Sequence, residues 1–314
     1  MARVLITGGA GFIGRHCARR FLEHGWEVRL LDQVLISNED PLVKLGCSVH
    51  TGDIRDGQAV HSAMENCQAV IHLAALVSVP ESIEHPEKTR DVNVGGTRNV
   101  LDSAQKLGLT HAVFASSAAV YGEQGKLPID ETTMLEALSP YGASKISNEK
   151  DIDHARNGGL NAIALRFFNV YGKGQSSSSG YASLIPMFID TMVQGKQPTI
   201  FGDGSQTRDF IHVEDLTHAI FELVTMSAPY EVAVANVATQ TQTSVLDVFK
   251  TINQHLVHAY DYAHMNPEYS HPRQGDIKHS SGSNSKLKSI IPWEPQIKFE
   301  KGLHALIDEI KRGR

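Results

Sequence analysis

The sequence predicts an α/β fold in which helices cover both faces of a parallel sheet. Three observations support this prediction. Short apolar segments alternate with segments of helical spacing over roughly the first half of the chain. The apolar segments are nearly continuous, as is typical of strands buried on both faces. Glycine, serine or an acid follows the end of several of them, where ligands bind in such sheets.

The first strand, turn and helix predict a nucleotide site. Residues 4–6 are an apolar run, residues 7–11 are a glycine-rich turn, and residues 12–23 have helical spacing. Gly8, Gly11 and Gly14 permit a tight turn, close approach to a pyrophosphate and close helix–strand packing. A second strand, residues 28–32, ends in Asp32, at the distance expected for a ribose hydroxyl partner. A plain glycine turn is the alternative, but this context favours a dinucleotide, and the Asp32 carboxylate favours NAD over NADP.

Two further strands extend the predicted sheet. Residues 48–54 read as a third strand ending in an acid; Asp53 either binds the adenine amino group or caps the helix beginning near Gly57. Residues 69–75 read as a fourth strand, whose small residues Ala74 and Ala75 would let a cofactor pass closely. Helical segments at 58–65 and 91–106 complete the pattern of a Rossmann-type doubly wound sheet.

The fifth strand and the next helix carry candidate catalytic groups. Residues 110–117 end in Ser116 and Ser117, which are either ordinary turn caps or groups placed for chemistry. Tyr141 and Lys145 stand four residues apart at the start of a helix, and therefore on one face. A lysine ammonium beside a phenol is expected to lower its pKa from about 10, which makes Tyr141 a candidate base. A solvated Tyr–Lys face is the alternative, but the dinucleotide context favours a hydride-transfer site.

Composition excludes several classes of function. A net charge of −6 with 20% charged residues shows no basic excess, so we expect no nucleic-acid partner. No apolar run approaches the length of a membrane span, so we expect no membrane partner. Cys17, Cys47 and Cys67 have irregular spacing, which predicts reduced thiols and a cytoplasmic protein. The late histidines fit no compact metal motif, so we predict surface histidines and no metal.

Several motifs together resemble the extended short-chain dehydrogenases/reductases of the nucleotide-sugar epimerase/dehydratase family. They extend in the family's order from residue 4 to about residue 280, nearly the whole chain. The matching segments are TGGAGFIG (7–14), HLAA (72–75), SSAAVYG (116–122), YGASK (141–145), RFFNVYG (166–172) and RDFIHVED (208–215).

The resemblance implies roles for individual residues. Ser117, Tyr141 and Lys145 match the catalytic groups, and Asn93 matches an asparagine near the nicotinamide. Arg208 and Arg273 match arginines on the diphosphate, with a surface ion pair as the alternative. The implied NAD contacts are Gly8, Gly11, Phe12, Ile13, Gly14, Asp32, Asp53, Ile54, Leu73, Ala74, Ala75, Asn93, Tyr141, Lys145 and Phe168. The implied substrate contacts are Val77, Ser78, Ser117, Ala118, Asn169, Ser183, Leu184, Phe201, Arg208, Arg273, Asp276 and Ser280.

Departures from the family's patterns narrow the implied reaction. Dehydratases and decarboxylases of the family carry an acid just after the catalytic serine or threonine, whereas this chain has Ala118 and Ala119. The resemblance therefore implies NAD-dependent epimerisation at C4 of a UDP-hexose through a 4-keto intermediate. Ser280 stands where related epimerases place tyrosine or a small residue, so we expect space for a 2-N-acetyl group. The alternatives are UDP-glucuronate as substrate, net dehydrogenation or reduction, and dinucleotide binding without turnover.

The resemblance also implies a domain organisation. Residues 1–168 would form the NAD-binding domain, completed by about 210–237, and residues 169–314 a smaller mixed α/β domain for the UDP-sugar. The loop 174–181 is either a wall over the sugar or a flexible linker, and residues 265–285 are loop-like before a final helix at 299–311. Helices 91–106 and 140–156 would form the bundle of a homodimer, or would pack on their own domain in a monomer.

Overall fold

A parallel sheet with helices on both faces organises the computed structural model, which describes residues 1–175, 183–272 and 277–312. The strands are β1 (Arg3–Thr7), β2 (Glu27–Asp32), β3 (Ser48–Thr51), β4 (Ala69–His72), β5 (His111–Ser117), β6 (Ala162–Phe167), β7 (Asn169–Tyr171), β8 (Thr199–Phe201), β9 (Thr207–Arg208), β10 (Phe210–His212), β11 (Val234–Val237), β12 (Thr243–Ser244) and β13 (Glu268–Ser270). The helices are α1 (Phe12–Glu23), α2 (Pro41–Lys44), α3 (Gly57–Met64), α4 (Val79–Glu84), α5 (Pro86–Arg90), α6 (Gly96–Leu107), α7 (Pro140–Asn157), α8 (Leu184–Val193), α9 (Val213–Thr225), α10 (Val245–Tyr260), α11 (Ser285–Ile290) and α12 (Phe299–Arg312).

The order of the strands creates a binding crevice. Over the described residues, seven parallel strands lie in the order β11-β6-β5-β4-β1-β2-β3. The chain first moves outward from β1 to β3 and then returns to build on the other side from β4. Ligands bind at such a switch point, outside the carboxyl ends of the strands. The predicted doubly wound fold is therefore confirmed, and β1, β4 and β5 direct their ends into one crevice.

Separate apolar cores fix the two faces of this sheet. Helices α1 and α9 pack on one face around Phe21, Leu216 and Ile220. On the other face, α3, α6 and α7 pack through Val60, Leu101 and neighbouring residues. Burial on both faces is the reason for the continuous apolar character of the strands.

A smaller α/β lobe adjoins the carboxyl ends of the strands. Helices α8, α10 and α12 share an apolar core that includes Phe188, Ile252 and Leu306. Short strand pairs, β7 with β10, β8 with β13 and β9 with β12, lie beside these helices. Strand β11 returns to the large sheet and pairs with β6. No helix within the described ranges is long and apolar enough to cross a membrane.

Several element boundaries differ from the sequence predictions. β3 ends at Thr51, and Asp56 rather than Asp53 caps α3, because the Asp56 carboxylate accepts from Gln58 N and Ala59 N. Residues Asp91–Gly95 form a π-helical turn before α6, and Ala118–Val120 form a 3₁₀ turn. Strand β13 occupies part of the segment predicted as loop. The predicted residues Arg273 and Asp276, and positions 176–181 of the serine-rich loop, lie outside the described residues.

Candidate active site

The glycine-rich turn between β1 and α1 has the backbone that a pyrophosphate needs. Gly8 has φ +70°, and a Cβ there would lie 2.8 Å from Ala74 N at the end of β4. A Cβ at Gly14 would lie 2.3 Å from Gly8 O, so only glycine lets α1 approach this turn. In the described structure, α1 has neither a capping side chain nor an acid in its first turn. Its N–H groups therefore remain available to an anion, which fits the predicted phosphate role of Gly8, Gly11, Phe12, Ile13 and Gly14.

Asp32 is held in place at the end of β2 by backbone donors. Its carboxylate accepts from Ala10 N and from Val34 N, each at 3.0 Å. This arrangement sets the carboxylate beside the glycine-rich turn, where a ribose hydroxyl would reach it. The residues present thus fit the dinucleotide that the sequence predicts.

A neutral histidine lies behind the turn. His72 is 4% exposed, and its ring nitrogens lie 2.7 Å from Thr7 Oγ1 and 3.0 Å from Thr97 Oγ1. Burial, together with the nearby charge of Lys145, lowers the pKa of His72 to about 3. The ring is therefore uncharged at neutral pH and links β1, β4 and α6 beneath the crevice.

Ser117, Tyr141 and Lys145 come together where β5 ends and α7 begins. Lys145 is 4% exposed; its ammonium donates to Ala115 O at 2.8 Å and lies 5.8 Å from the centre of the Tyr141 ring. The Ser117 hydroxyl hydrogen-bonds the Tyr141 side chain and also accepts from Ala119 N at 3.2 Å. Ser117 is thus both a turn cap and a neighbour of the tyrosine. The alternative of a solvated Tyr–Lys face is excluded by the burial of Lys145.

The expected direction of the Tyr141 pKa is wrong for this structure. Burial raises the pKa of Tyr141, and the hydrogen bond from Ser117 only partly opposes it. Burial also lowers the pKa of Lys145 to about 8, against the favourable charge of Glu149. The sequence argument considered the neighbouring charge alone, whereas removal of water from both groups is the larger effect.

Five predicted substrate residues line one cavity in the smaller lobe. Its volume is 280 Å³, and those residues are Asn169, Ser183, Leu184, Phe201 and Arg208. Gln206 also lines it and donates to Phe201 O at 2.7 Å, a contact that the sequence did not suggest. Apolar walls with a few polar groups are typical of a small-molecule site.

Other predicted site residues have structural contacts of their own. Asp53 pairs with Arg55, and the Ile54 side chain packs where Gly96 leaves space. The Phe168 ring packs against Gly282 and is 4% exposed. Ser78 caps α4 and Val77 is exposed. Neither Ala118 nor Ser280 is among the described residues that line the cavity. Ser280 is buried, and its N–H donates to Thr207 O.

Asn93 joins the crevice to helix α7. Its amide accepts from Leu76 N at 2.8 Å and donates to Leu76 O and to Ser144 Oγ, each at 3.0 Å. Leu73 and Ala74 directly follow β4, and Ala74 N donates to Thr7 Oγ1 at 3.3 Å. These contacts set the backbone of residues 73–76 beside the glycine-rich turn.

Sequence reasoning missed a buried ion pair near Tyr141 and Lys145. Arg166 and Glu149 join at 2.7 Å, with side chains 4% and 10% exposed. A signal existed, since Arg166 interrupts the otherwise apolar strand β6. A charge in a strand buried on both faces requires a partner.

A family model matches the first three quarters of the chain, and curated relatives match nearly all of it. The model of the NAD dependent epimerase/dehydratase family matches residues 4–238. A putative UDP-glucose 4-epimerase of Methanocaldococcus jannaschii is 35% identical over 98% of each chain. A UDP-N-acetyl-alpha-D-glucosaminuronate decarboxylase of Bacillus cytotoxicus is 29% identical, covering 97% of this chain and 96% of its own.

Solved structures share the whole fold. The UDP-N-acetylglucosamine 4-epimerase of Methanobrevibacter ruminantium, in complex with UDP-N-acetylmuramic acid, has a TM-score of 0.90 at 30% identity, over 100% of this chain and 99% of its own. The UDP-glucose 4-epimerase of Thermotoga maritima, with UDP-glucose, has 0.90 at 31%, over 99% of each chain. MoeE5 in complex with UDP-glucuronic acid and NAD has 0.88 at 28%, over 100% of each chain.

Proposed function

Because this chain belongs to the NAD dependent epimerase/dehydratase family, we propose that it interconverts the C4 epimers of a UDP-hexose. The observation that carries the proposal is the meeting of Ser117, Tyr141 and Lys145 where β5 ends and α7 begins. A cavity for a small molecule lies in the adjoining lobe, and its lining includes the arginine and asparagine expected on a diphosphate. The relatives and structural neighbours named as UDP-sugar 4-epimerases support the same reaction.

In the proposed mechanism, Tyr141 takes the proton from the sugar O4 and Ser117 hydrogen-bonds that oxygen. When bound, NAD would supply the hydride acceptor and donor for oxidation and re-reduction at C4 of the sugar. The positive charge of Lys145 supports the tyrosinate, which burial alone disfavours. Arg208 and Asn169 would hold the diphosphate while the sugar turns. Because the hydride that leaves C4 returns to C4, the reaction has no net redox change.

The residues after Ser117 favour epimerisation over the other reactions of the family. Ala118 and Ala119 carry no carboxylate that could act at C5 or C6. The family resemblance implies that dehydration and decarboxylation use such a group, and this chain lacks it although a decarboxylase relative is 29% identical to it. UDP-glucuronate remains the second candidate substrate, since a structural neighbour at 28% identity binds UDP-glucuronic acid.

We propose that the sugar pocket accepts a 2-N-acetyl group, so that UDP-GlcNAc and UDP-GalNAc are substrates beside UDP-glucose and UDP-galactose. The small side chain of Ser280, at the position where the family resemblance implies tyrosine or a small residue, supports this proposal, although Ser280 is not among the described residues that line the cavity. Ser280→Tyr should lower kcat/KM for the N-acetylated pair at least tenfold more than for the other pair, because the added ring fills that space. Parallel kinetics on both pairs measure this ratio, and an equal loss on both would contradict the proposal.

We also propose a homodimer in a reducing compartment. The apolar residues of helices α6 and α7, which the family resemblance implies for a dimer bundle, support the homodimer. Cys17, Cys47 and Cys67 are free and buried, as expected of reduced thiols. Light scattering tests the dimer against the chain mass of 34.3 kDa.

Proton NMR of the purified protein with UDP-GlcNAc and no added cofactor tests the proposed reaction. UDP-GalNAc should appear at a fixed equilibrium ratio, without NADH accumulating. Ser117→Ala should lower kcat by about 100-fold or more, whereas Ser147→Ala, on the solvent side of α7, should keep wild-type turnover. If only UDP-glucose or UDP-glucuronate is interconverted, the proposed substrate is wrong and the reaction type stands. Stoichiometric NADH formation would refute epimerisation.

A further inference from the structure

Consecutive residues at the end of β5 are each tied to the catalytic helix α7. Ala115 O accepts from the Lys145 ammonium at 2.8 Å, and Ser116 Oγ donates to Glu149 Oε1 at 2.5 Å. The next residue, Ser117, hydrogen-bonds Tyr141. Glu149 therefore belongs to the same strand–helix junction as the catalytic residues, although it touches no expected position of substrate or cofactor.

Arg166 on β6 holds Glu149 from its other side. Its Nε donates to Glu149 Oε1 at 2.9 Å and its Nη2 to Oε2 at 2.7 Å. Arg166 also donates to the Tyr121 hydroxyl at 2.8 Å, and that hydroxyl donates to Asn236 at 2.6 Å. Burying such an ion pair generally costs more free energy than apolar packing of the same volume. Because the Glu149–Arg166 pair lies directly behind Lys145, its position points to a role other than stabilising the fold.

We propose that Glu149 is a positioning residue whose carboxylate, fixed between Ser116 and Arg166, keeps Lys145 charged against the end of β5. Glu149 follows Lys145 by four residues on α7, so the two side chains share one face of the helix. Lys145 can then support Tyr141 by its charge without leaving its bond to Ala115 O. The effect on the charge of Lys145 does not depend on the proposed function; only the expected effect on turnover rests on it.

Charged and titratable groups on several elements lie near Lys145. Burial lowers the pKa of Lys145 to about 8, and the charge of Glu149 opposes that shift. His72 on β4 stays neutral, because burial and the charge of Lys145 depress its own pKa. Tyr141 on α7 is a neutral phenol in this structure, and the positive charge of Arg166 stands behind Glu149. Glu149 therefore supplies the negative charge that favours the ammonium form.

NMR of lysine labelled with ¹³C at Cε tests the inference without turnover. One lysine resonance should titrate near pH 8 in the wild-type protein and be absent from Lys145→Arg. In Glu149→Gln its midpoint should fall by about one pH unit or more, because an opposite charge nearby favours the charged form. Tyr121→Phe, the matched control, removes hydrogen bonds to Arg166 and Asn236 but keeps Glu149, and should leave the midpoint unchanged.

A second variant separates the loss of Glu149 from the effect of an unpaired arginine. Glu149→Gln/Arg166→Met removes both buried charges and therefore also protects the experiment against misfolding of the single variant. The Lys145 midpoint should still lie below that of the wild-type protein. An unchanged midpoint in the folded Gln variants would overturn the inference.

Turnover provides the functional readout on the protein with its retained cofactor. The alkaline limb of the pH profile of kcat, where Lys145 loses its proton, should move to lower pH in Glu149→Gln. Glu149→Asp keeps a carboxylate and should restore most of that shift, although its packing differs. If Glu149→Gln lowers the NMR midpoint of Lys145 but keeps the alkaline limb of the wild-type pH profile, the charge of Lys145 does not govern turnover. That result would contradict the expected effect on turnover. No turnover on any UDP-sugar would refute the proposed function and leave the NMR result to decide the inference.

Discussion

Burial decides the charge of individual residues around this crevice. His72 illustrates this most clearly, because it lies among Thr7, Thr97 and Phe114 and has no contact with bulk water on either ring nitrogen. Its hydrogen bonds to hydroxyl groups serve a neutral ring. The depressed pKa of His72 therefore links the stability of the fold to pH.

His72 should destabilise the folded protein as the pH falls. Between pH 6.5 and about 3 the unfolded chain binds a proton on His72 that the folded chain does not. The free energy of unfolding is therefore unaffected by His72 above pH 6.5. Between pH 6.5 and about 3 it decreases by about 1.4 kcal/mol for each pH unit. Urea denaturation at several pH values should show a weaker acid dependence for His72→Asn than for the wild-type protein.

A surface histidine provides the control for this experiment. His258 is exposed on α10 and bonds only within its own helix, to Gln254 O among the described residues. His258→Asn should keep the acid dependence of the wild-type protein. The same slope in His72→Asn and the wild-type protein would contradict a neutral buried His72.

At the level of elements, the junction of β1 with α1 depends on missing side chains. Gly8 and Gly14 allow the helix to begin directly beside the end of β4, with its N–H groups directed at the crevice. The π-helical turn Asp91–Gly95 has a related effect, because it brings the Asn93 amide to Leu76 and Ser144. The glycines position backbone N–H groups, and the π-helical turn positions the Asn93 side-chain amide that holds the backbone of Leu76.

Gly14→Ala should weaken NAD retention and stability together. The new Cβ would lie 2.3 Å from Gly8 O, so α1 must move away from the turn. We expect a loss of about 1–3 kcal/mol in the free energy of unfolding. Thermal unfolding and the NAD released from purified protein measure the two effects. Gly125→Ala, where a Cβ meets nothing within 4 Å, is the control, and normal NAD content in Gly14→Ala would contradict the argument.

At the level of the whole molecule, Asp209 joins the large sheet to the smaller lobe. Its side chain is fully buried and accepts from Thr239 N at 2.8 Å, Gln240 N at 2.9 Å and Gly282 N at 3.2 Å. Its carbonyl accepts from Asn169 N at 2.9 Å. The segments that carry Asn169, Arg208 and Ser280 are thereby held relative to the carboxyl ends of the strands.

Asp209→Asn should loosen this connection. The amide nitrogen cannot accept the bonds that the second carboxylate oxygen accepts, so we expect a loss of about 3 kcal/mol in the free energy of unfolding. The KM for UDP-sugar should rise several-fold, because the substrate segments lose their fixed position. Denaturation and initial-rate kinetics measure both quantities. Asp203→Asn, in an exposed turn where the carboxylate bonds Ser205, should change neither, and equal effects in the two variants would refute the special role of Asp209.

Local patterns in the sequence determined the fold class and the glycine-rich turn, whereas the catalytic roles of Ser117, Tyr141 and Lys145 stay predictions. The glycine spacing, the apolar strand segments and the Tyr141–Lys145 pair each lie within a few residues, so short-range geometry suffices to interpret them. The division into domains at residue 168 stays a prediction.

Only the tertiary structure decided how the site is charged and supported. The direction of the Tyr141 pKa, the ion pair of Glu149 with Arg166 and the neutral His72 all depend on burial by segments distant along the chain. The cap of α3 by Asp56 depends on where β3 ends, which the alternation of residue types does not specify. Desolvation is a property of the packed interior, and a linear sequence does not state which of its charges will lose their water.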